Sequence, residues 1–172
     1  PTRRSSDLWW KLVQSPLVIT PHLGEMARLT GRPITEIRDR LVQTAQEFAM
    51  EHQITVVLKD ARTITAQPDG QSYINVSGNH GMATAGAGDV LSGVVGALLA
   101  QKLDMYLAAA LGVFIHGLAG DAAAERVGHC AMMASDIVDG LTVHHGVDVS
   151  EHQGKINWAK AKKSGVEFAI IR

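Results

Sequence analysis

The residues best suited to chemistry lie in a glycine-rich segment, residues 79–89, whose sequence NHGMATAGAGD precedes an apolar stretch with helical character. A loop of small residues that leads into a helix exposes unpaired backbone N–H groups and the positive end of the helix dipole, which suits a phosphate group. Gly86 and Gly88 lack the Cβ atoms that would keep a ligand oxygen away from the backbone. Asp89 could accept a proton from a substrate hydroxyl. Because short glycine motifs are weakly specific, a plain turn in which Asp89 caps the helix fits this segment equally well.

The composition is that of one ordinary globular domain: the chain has 172 residues, 46% of them apolar, and a formal net charge of −1. A nearly neutral chain gives no general reason to expect nucleic-acid or membrane partners, and we expect neither. Cys130 is the single cysteine, which excludes an internal disulfide and fits a reducing compartment. The longest apolar run, residues 107–119, contains His116 and several glycines, so we expect no stretch of membrane-spanning length. No signal-peptide pattern is found either, and the expected location is the cytoplasm.

Short apolar runs alternate with amphipathic segments, which predicts an α/β layered fold with a largely parallel sheet. Strands are predicted at residues 17–20, 54–59, 63–66 and 72–75. Helices are predicted at residues 22–29, 33–49, 90–101, 104–126 and 133–141. Gly31 should end the first helix, and residues 68–70 should join the last two strands as a hairpin. Parallel sheets bind ligands at the carboxyl ends of their strands, so the loops after Thr20, Lys59 and Asn75 should converge on one site.

Four ordered segments resemble a single family. They are VITPHLGEMARLTG (18–31), VVLKDART (56–63), SGNHGMATAGAGDVLSG (77–93) and GVFIHGLAGDAAAE (112–125). Together they resemble the bacterial NAD(P)H-hydrate dehydratases, nucleotide-dependent repair enzymes of the ribokinase-like superfamily. The similarity runs from about Trp9 to Leu141, and four blocks in order are far more specific than the glycine loop alone. The resemblance implies a three-layer, ribokinase-like (Rossmann-like) α/β domain that is incomplete on its N-terminal side.

The resemblance also implies a reaction. The family restores NAD(P)H from its hydrate, NAD(P)HX: ADP (or ATP) phosphorylates the hydroxyl on the hydrated nicotinamide ring, and elimination of phosphate regenerates the double bond. Phosphate is a good leaving group where hydroxide is a poor one. Mg²⁺ is compatible with such a transfer, although no metal-ligand cluster in the sequence requires it. The implied partners are the hydrated cofactor and the nucleotide, and a homo-oligomer is compatible with this architecture.

Site residues follow from the same match. Asp89 is expected to be the catalytic base and to contact the substrate together with His22. The residues expected at the nucleotide are Lys59, Asp60, Ala61, Arg62, Asn79, Gly81, Thr84, Ala85, Gly86, Ala87 and Gly88. The amides of residues 85–88 would stabilise charge on the transferring phosphoryl group.

Plainer roles compete with several of these assignments. His22 fits a side chain that caps a loop, and Lys59 fits a solvated lysine at a strand end. Asn79 and Thr84 are almost as well explained by shaping the loop. Many relatives have glycine where Asp60 stands, which leaves the backbone contact and the charge at that position in doubt.

Three residues of the matched blocks are expected to serve structure rather than chemistry. Glu25 favours the start of a helix through the helix dipole. His116 is expected to be a packed histidine, and Asp121 a solvated carboxylate.

The two ends of the chain differ in character from residues 9–141. Residues 1–8 read as an adapter-derived artefact or a disordered start. Residues 142–172 contain GVDVSEHQGKINWAKAKKSGVEFAIIR (146–172), which resembles the opening of the glycoside hydrolase family 25 lysozymes, with strands at 147–149 and 168–171 and a helix at 158–163. In that family the residue matching Asp148 belongs to the acidic active site. A βαβ-type tail of this kind suggests a chimeric fragment.

Several functions therefore remain open at this point. An incomplete NAD(P)H-hydrate dehydratase is the leading hypothesis, and a kinase of the same superfamily is its nearest competitor. A non-catalytic nucleotide-binding fragment and a truncated cell-wall muramidase are the alternatives from other classes.

Overall fold

The computed structural model describes Val13, residues 15–142 and the two strands Gly146–Val149 and Phe168–Ile171, the strands by their backbone alone. Residues 1–8 and the helix expected at 158–163 lie outside the described residues. The two C-terminal strands, β5 (Gly146–Val149) and β6 (Phe168–Ile171), pair in parallel with Gly146 opposite Phe168. Strands are therefore found in both places where the sequence predicts them.

The main sheet has four strands in the order β1-β2-β3-β4, which are Val18–Ile19, Thr55–Leu58, Ile64–Ala66 and Ser72–Ile74. Strands β1 and β2 are parallel, whereas β2–β3 and β3–β4 are antiparallel. The expectation of a largely parallel sheet is therefore wrong, because short connections join β2 to β3 and β3 to β4. A parallel pair needs a crossover, and only the link from β1 to β2 provides one.

Three helices form that crossover and cover one face of the sheet: α1 (Leu23–Thr30), α2 (Ile34–Asp39) and α3 (Leu41–His52). Gly31 ends α1 in the left-handed conformation (φ 71°), as predicted. The single helix predicted over residues 33–49 is instead divided at Arg40, whose backbone is not helical (φ −127°, ψ 41°). Ile37 before the break and Phe48 after it are nevertheless buried in the same apolar cluster.

The other face of the sheet carries α4 (Ala87–Ala100) and α5 (Met105–Val127), with α6 (Ala134–Gly140) packed against both of these helices. All four residues of β2 are buried. Because side chains alternate along a strand, Val56 and Leu58 pack with α1–α3 while Val57 packs with Leu91 and Val113 of the opposite layer. This arrangement confirms the expected three-layer α/β fold.

Helix α5 is the central helix of its layer. Its 23 residues are long and apolar enough, by length and composition, to cross a membrane, so the expectation that no stretch reaches that length is wrong. Half of its most apolar window is buried inside the protein. Small residues allow this close packing: a Cβ on Gly112 would lie 2.7 Å from Cγ2 of Val95 on α4. These contacts are those of a core helix.

Candidate functional site

The carboxyl ends of three strands meet at one edge of the main sheet. Strands β1 and β2 are parallel, and β4 runs in the direction of β2 because two antiparallel steps restore the direction. Beyond the strand ends, His22 and Lys59 still face each other in a parallel bridge, and the Lys59 N–H donates to the Pro21 carbonyl at 2.8 Å. The predicted convergence of the loops after Thr20, Lys59 and Asn75 is confirmed, although the sheet is mixed.

A cleft of about 810 Å³ opens at this edge. Of the residues predicted from the sequence, it is lined by His22, Lys59, Asp60, Ala61, Arg62, Asn79, Thr84, Ala87 and Gly88. Four other predicted residues, Gly81, Ala85, Gly86 and Asp89, are not part of its wall. The structure thus brings together segments 22, 59–62 and 79–88, which are far apart in the chain.

The glycine loop leads directly into α4. Gly86 is the N-cap residue in the left-handed conformation (φ 88°), which glycine adopts without strain, and it makes no side-chain cap. The interpretation in which Asp89 caps the helix is wrong, because Asp89 is the third residue of α4. Within the described part of the chain, the N–H groups of Ala85, Gly86 and Gly88 have no protein acceptor. This helix end therefore offers free donors together with its positive dipole.

The Lys59 ammonium lies against the same helix end. A Cβ built on Gly88 would be only 3.0 Å from Nζ of Lys59, so the missing side chain makes room for the lysine. Among the described residues, the ammonium group forms no ion pair. A cation beside the positive end of a helix is unfavourable by itself, because the two positive charges repel each other. Both of them attract anions. The pair consequently forms an electropositive corner of the cleft that an anionic group would stabilise.

His22 has two roles in the structure. Its Nδ1 accepts a hydrogen bond from the Glu25 N–H at 3.1 Å, and the Glu25 carboxylate accepts one from the His22 N–H at 2.7 Å, which forms a capping box at the start of α1. The plain role of a capping side chain is thus present, and so is the expected role of Glu25 at a helix start. The side chain also lines the cleft and is 55% exposed. Because Nδ1 is an acceptor, the neutral ring carries its proton on Nε2 and can donate there.

Asp89 does not line the cleft, although its neighbour in the sequence does. The residue is exposed and follows Gly88, which does line the cleft. Its carboxylate makes no hydrogen bond to any described residue, and it lies in the first turn of α4. The exposed carboxylate is thus one residue away from the free N–H group of Gly88.

The side chain of Asn79 is fully engaged inside the protein. Its Nδ2 donates to the Gly120 carbonyl and to Asp121 Oδ1, both at 2.9 Å, while its Oδ1 accepts from the Gly81 N–H at 3.0 Å. No Nδ2 hydrogen is left for a phosphate, so the geometry favours the loop-shaping role for Asn79. Thr84 lines the cleft without a side-chain hydrogen bond to the described residues.

Residues 60–62 form the wall opposite the loop. Arg62 donates from Nη1 to the Val76 carbonyl at 3.3 Å, which ties the segment after β2 to the segment after β4. Asp60 and Ala61 are exposed beside it. A carboxylate at position 60 adds negative charge close to Lys59.

Several wall residues were not predicted as site residues. They are Thr63, Asn75, Ser77, Gly78, His80, Met82, Ala83, Leu91, Val113, His116 and Gly117. Asn75 had a usable signal, since it directly follows β4 at the predicted site edge. Val113, His116 and Gly117 lie on α5, and their place in the wall depends on how α5 packs against the loop, which no local pattern reveals.

His116 is packed, as expected, yet it also forms part of the cleft wall. The residue is 8% exposed, and its Nε2 is buried without a hydrogen-bond partner among the described residues. Burial lowers the pKa of His116 below 6.5; the backbone of Ala87 acts in the opposite direction, and the charge of Lys59 lowers the pKa further. The ring is therefore neutral at physiological pH.

Asp121 differs most from its expected role. Instead of a solvated carboxylate, it is a half-buried acceptor that receives the Gly78 N–H at 2.9 Å and the side-chain amide of Asn79. The expectation is wrong because the sequence cannot show that the glycine loop folds back on α5.

This fold and site define a class of protein: an α/β domain of the ribokinase-like kind. The chain matches a ribokinase-like superfamily protein from Enterococcus faecalis with a TM-score of 0.63 and 29% identity, over 81% of this chain and 49% of that one. A family model described as NAD(P)H-hydrate dehydratase matches residues 4–142, and the chain belongs to that family.

Relatives named for this activity support the family assignment. The bifunctional NAD(P)H-hydrate repair enzyme of Moorella thermoacetica is 53% identical over 126 residues, which are 73% of this chain and 24% of that protein. The ADP/ATP-dependent NAD(P)H-hydrate dehydratase of Bacillus subtilis, co-crystallized with ATP/Mg²⁺, has a TM-score of 0.72 and 32% identity over 74% of this chain and 46% of that one. The chain thus spans less than half the length of these relatives.

Proposed function

We propose that the protein to which this chain belongs converts NAD(P)HX to NAD(P)H in an ADP-dependent dehydration. The observation that carries the proposal is the electropositive corner of the cleft, where Lys59 Nζ lies beside Gly88 and the free N–H donors at the start of α4. Family membership supplies the reaction, and the corner supplies a place for the phosphate groups of the nucleotide. ATP is the alternative donor.

In this proposal the nucleotide lies between residues 59–62 and the glycine loop. The ammonium of Lys59 and the N–H groups of Ala85, Gly86 and Gly88 contact phosphate oxygens. These donors are fixed before the ligand arrives, so they can stabilise charge that develops on the transferring phosphoryl group without reorganising.

His22 and Asp89 hold the hydrated nicotinamide in the proposal. The hydroxyl oxygen of the substrate forms a bond to the β-phosphorus of ADP, the bond from that phosphorus to the bridging oxygen breaks, and AMP leaves. Asp89 accepts the hydroxyl proton. Phosphate then leaves the ring with its electron pair, and loss of a proton from the neighbouring carbon forms the double bond. The balanced products are NAD(P)H, AMP and inorganic phosphate.

Mg²⁺ has no dedicated protein site in the described part of the chain, where no group of three His, Cys, Asp or Glu side chains could hold a metal ion. Mg²⁺ characteristically binds through one or two carboxylates plus substrate phosphates. Asp60, which lines the cleft, and Asp89, which follows Gly88, are the carboxylates nearest to such an ion in this proposal. The ion would neutralise phosphate charge there.

The C-terminal segment, residues 142–172, is proposed to be separate from residues 9–141 and to take no part in this reaction. Its two parallel strands are consistent with the opening βαβ unit of a lysozyme-like barrel. Glycoside hydrolysis needs two positioned carboxyl groups, and the resemblance at Asp148 supplies only one. We therefore expect no clearing of purified cell walls by the chain.

The reaction is tested by incubating the purified chain with hydrated NADH and ADP and following the absorbance of dihydronicotinamide together with AMP release. The wild-type chain should form both products in equal amounts. Asp89→Asn should lower turnover at least about a hundredfold, because the general base is lost, while ADP binding is retained.

Asp139→Asn is the matched control, since the Asp139 side chain is 68% exposed on α6, away from the cleft. It should behave as the wild type. Turnover that survives Asp89→Asn would contradict the role of Asp89, and ADP binding without any product from the wild-type chain would favour the non-catalytic nucleotide-binding alternative.

A further inference from the structure

Helix α5 packs closely against residues 77–82, which include the start of the glycine-rich segment. Gly117 and Gly120 face this segment, and a Cβ on either residue would collide with it, the first with Ser77 Oγ and the second with the Met82 side chain. Ser77 Oγ also donates to the Phe114 carbonyl at 3.1 Å. The two glycines thus bring the backbone of the segment into direct contact with α5.

Asp121, next to Gly120 on the same helix, holds the segment at two points. Oδ2 accepts from the Gly78 N–H and Oδ1 from Nδ2 of Asn79, each at 2.9 Å. Gly78 has a φ of 92°, a conformation in which a side chain would be strained. One carboxylate therefore fixes both the backbone direction at Gly78 and the orientation of the Asn79 side chain.

Asn79 transmits this constraint to the loop. Its Oδ1 accepts from the Gly81 N–H at 3.0 Å and lies 2.9 Å from Nδ1 of His129. The ring of His129 stacks on His80, with the centroids 4.4 Å apart. A continuous set of hydrogen bonds thus connects α5 to the turn at His80–Met82, two residues before Thr84.

We propose that Asp121 is a positioning residue for the nucleotide site. It does not line the cleft itself. By holding residues 78–82 on α5, it sets the place of Thr84 and of the free N–H groups that lead into α4. The inference rests on the proposed function, because it assigns nucleotide affinity to the position of this loop.

The substitution Asp121→Asn tests the role with little change of volume. One acceptor becomes an N–H donor that faces either the Gly78 N–H or the Asn79 amide, so one of these donors loses its partner. Loss of a hydrogen bond to a charged group in a half-buried site is expected to weaken ADP binding about tenfold.

The experiment compares wild type, Asp121→Asn and Asp139→Asn by calorimetric titration with ADP and by steady-state turnover. In Asp121→Asn, Kd and KM for ADP should rise about tenfold, while KM for the hydrated cofactor changes less than about twofold. Asp139→Asn, the same chemical change at an exposed site on α6, should leave all three values unchanged. Equal ADP affinity in wild type and Asp121→Asn would overturn the proposal.

Amide hydrogen exchange provides a readout that does not depend on nucleotide binding. The Gly78 and Gly81 N–H groups should exchange at least about a hundredfold more slowly than unprotected amides in the wild type, and faster in Asp121→Asn. Unprotected exchange at both glycines in the wild type would overturn the positioning role. If the wild type binds no ADP, the proposed function fails, and the exchange rates still decide whether Asp121 holds the loop.

Discussion

Lys59 and Gly88 show how a single absent side chain shapes the candidate site. The lysine ammonium occupies the space beside Gly88 Cα, 3.0 Å from where a Cβ would stand. The charge of Lys59 therefore lies at the helix end rather than in the open solvent expected of a lysine at a strand end. This proximity is the main reason for proposing a phosphate site at the start of α4.

The substitution Gly88→Ala should weaken ADP binding about tenfold, because the new methyl group displaces the Lys59 ammonium from the helix end. Stability should change little, since a lysine side chain can move aside. Calorimetric titration with ADP measures the effect. Gly93→Ala is the matched control: it lies on the same helix with open space around its Cβ, and unaltered binding is expected there. Equal ADP affinity for the two glycine variants would contradict a phosphate site formed by Lys59 and the start of α4.

His116 connects the cleft to the pH dependence of stability. Because burial lowers its pKa in the folded protein, the unfolded chain binds this proton more readily. Stability is therefore fully present above the unfolded pKa of 6.5 and is lost as the pH falls below that value. Between about pH 7 and about pH 5, the free energy of unfolding should decrease in the wild type and decrease less in His116→Gln.

Urea denaturation at several pH values measures this difference. Identical pH profiles for wild type and His116→Gln would show that His116 does not contribute to the pH dependence.

At the scale of elements, β2 is the strand against which both helical layers pack. Its residues are buried on both faces, so that Val56 and Leu58 contact the α1–α3 layer and Val57 contacts the α4–α5 layer. Lys59, which lines the cleft, directly follows this strand. Packing of the two helical layers on β2 thus also positions the lysine.

Val57→Ala should lower the free energy of unfolding by about 2 kcal/mol, because Val57 is fully buried against Leu91 and Val95 and its lost methyl groups leave a cavity. Val76→Ala, at a side chain that is 71% exposed, should change it by less than about 0.5 kcal/mol. Chemical denaturation compares the two variants. Similar losses at both positions would contradict the double burial of β2.

Much of this element order follows from local patterns in the sequence. The Gly31 stop, the hairpin between β3 and β4 and the strand at β2 all depend on backbone preferences and on apolar periodicity. The break at Arg40 was missed because apolar residues continue at helical spacing across it. The expectation of a largely parallel sheet was an error of inference, because the strands predicted at 54–59, 63–66 and 72–75 already leave no room for the crossover that a parallel pair needs.

The site was predictable to the extent that its residues lie in contiguous segments. His22, residues 59–62 and most of the glycine loop line the cleft as the sequence suggested. The Asp121 and Asn79 pair was missed because its members are 42 positions apart. Contacts of this kind depend on the packing of α5 against the loop, for which a single sequence contains no local signal.

At the scale of the whole molecule, the cleft exists only when the three layers are assembled. His22 precedes the crossover helices, Lys59 follows β2, and the glycine loop opens the second helical layer. A ligand that contacts all three should therefore stabilise the folded chain as a unit. The chain matches 46% of the length of the dehydratase from Bacillus subtilis.

The most direct test of this account is a calorimetric titration of the 172-residue chain with ADP, repeated for Lys59→Gln and Lys102→Gln. The lysine at position 102 follows α4 and does not line the cleft. Saturable binding by the wild type and by Lys102→Gln, with affinity at least about tenfold lower in Lys59→Gln, is the predicted result. Absence of ADP binding by the wild type, or equal affinity in both lysine variants, would contradict a nucleotide site at the junction of Lys59 and α4.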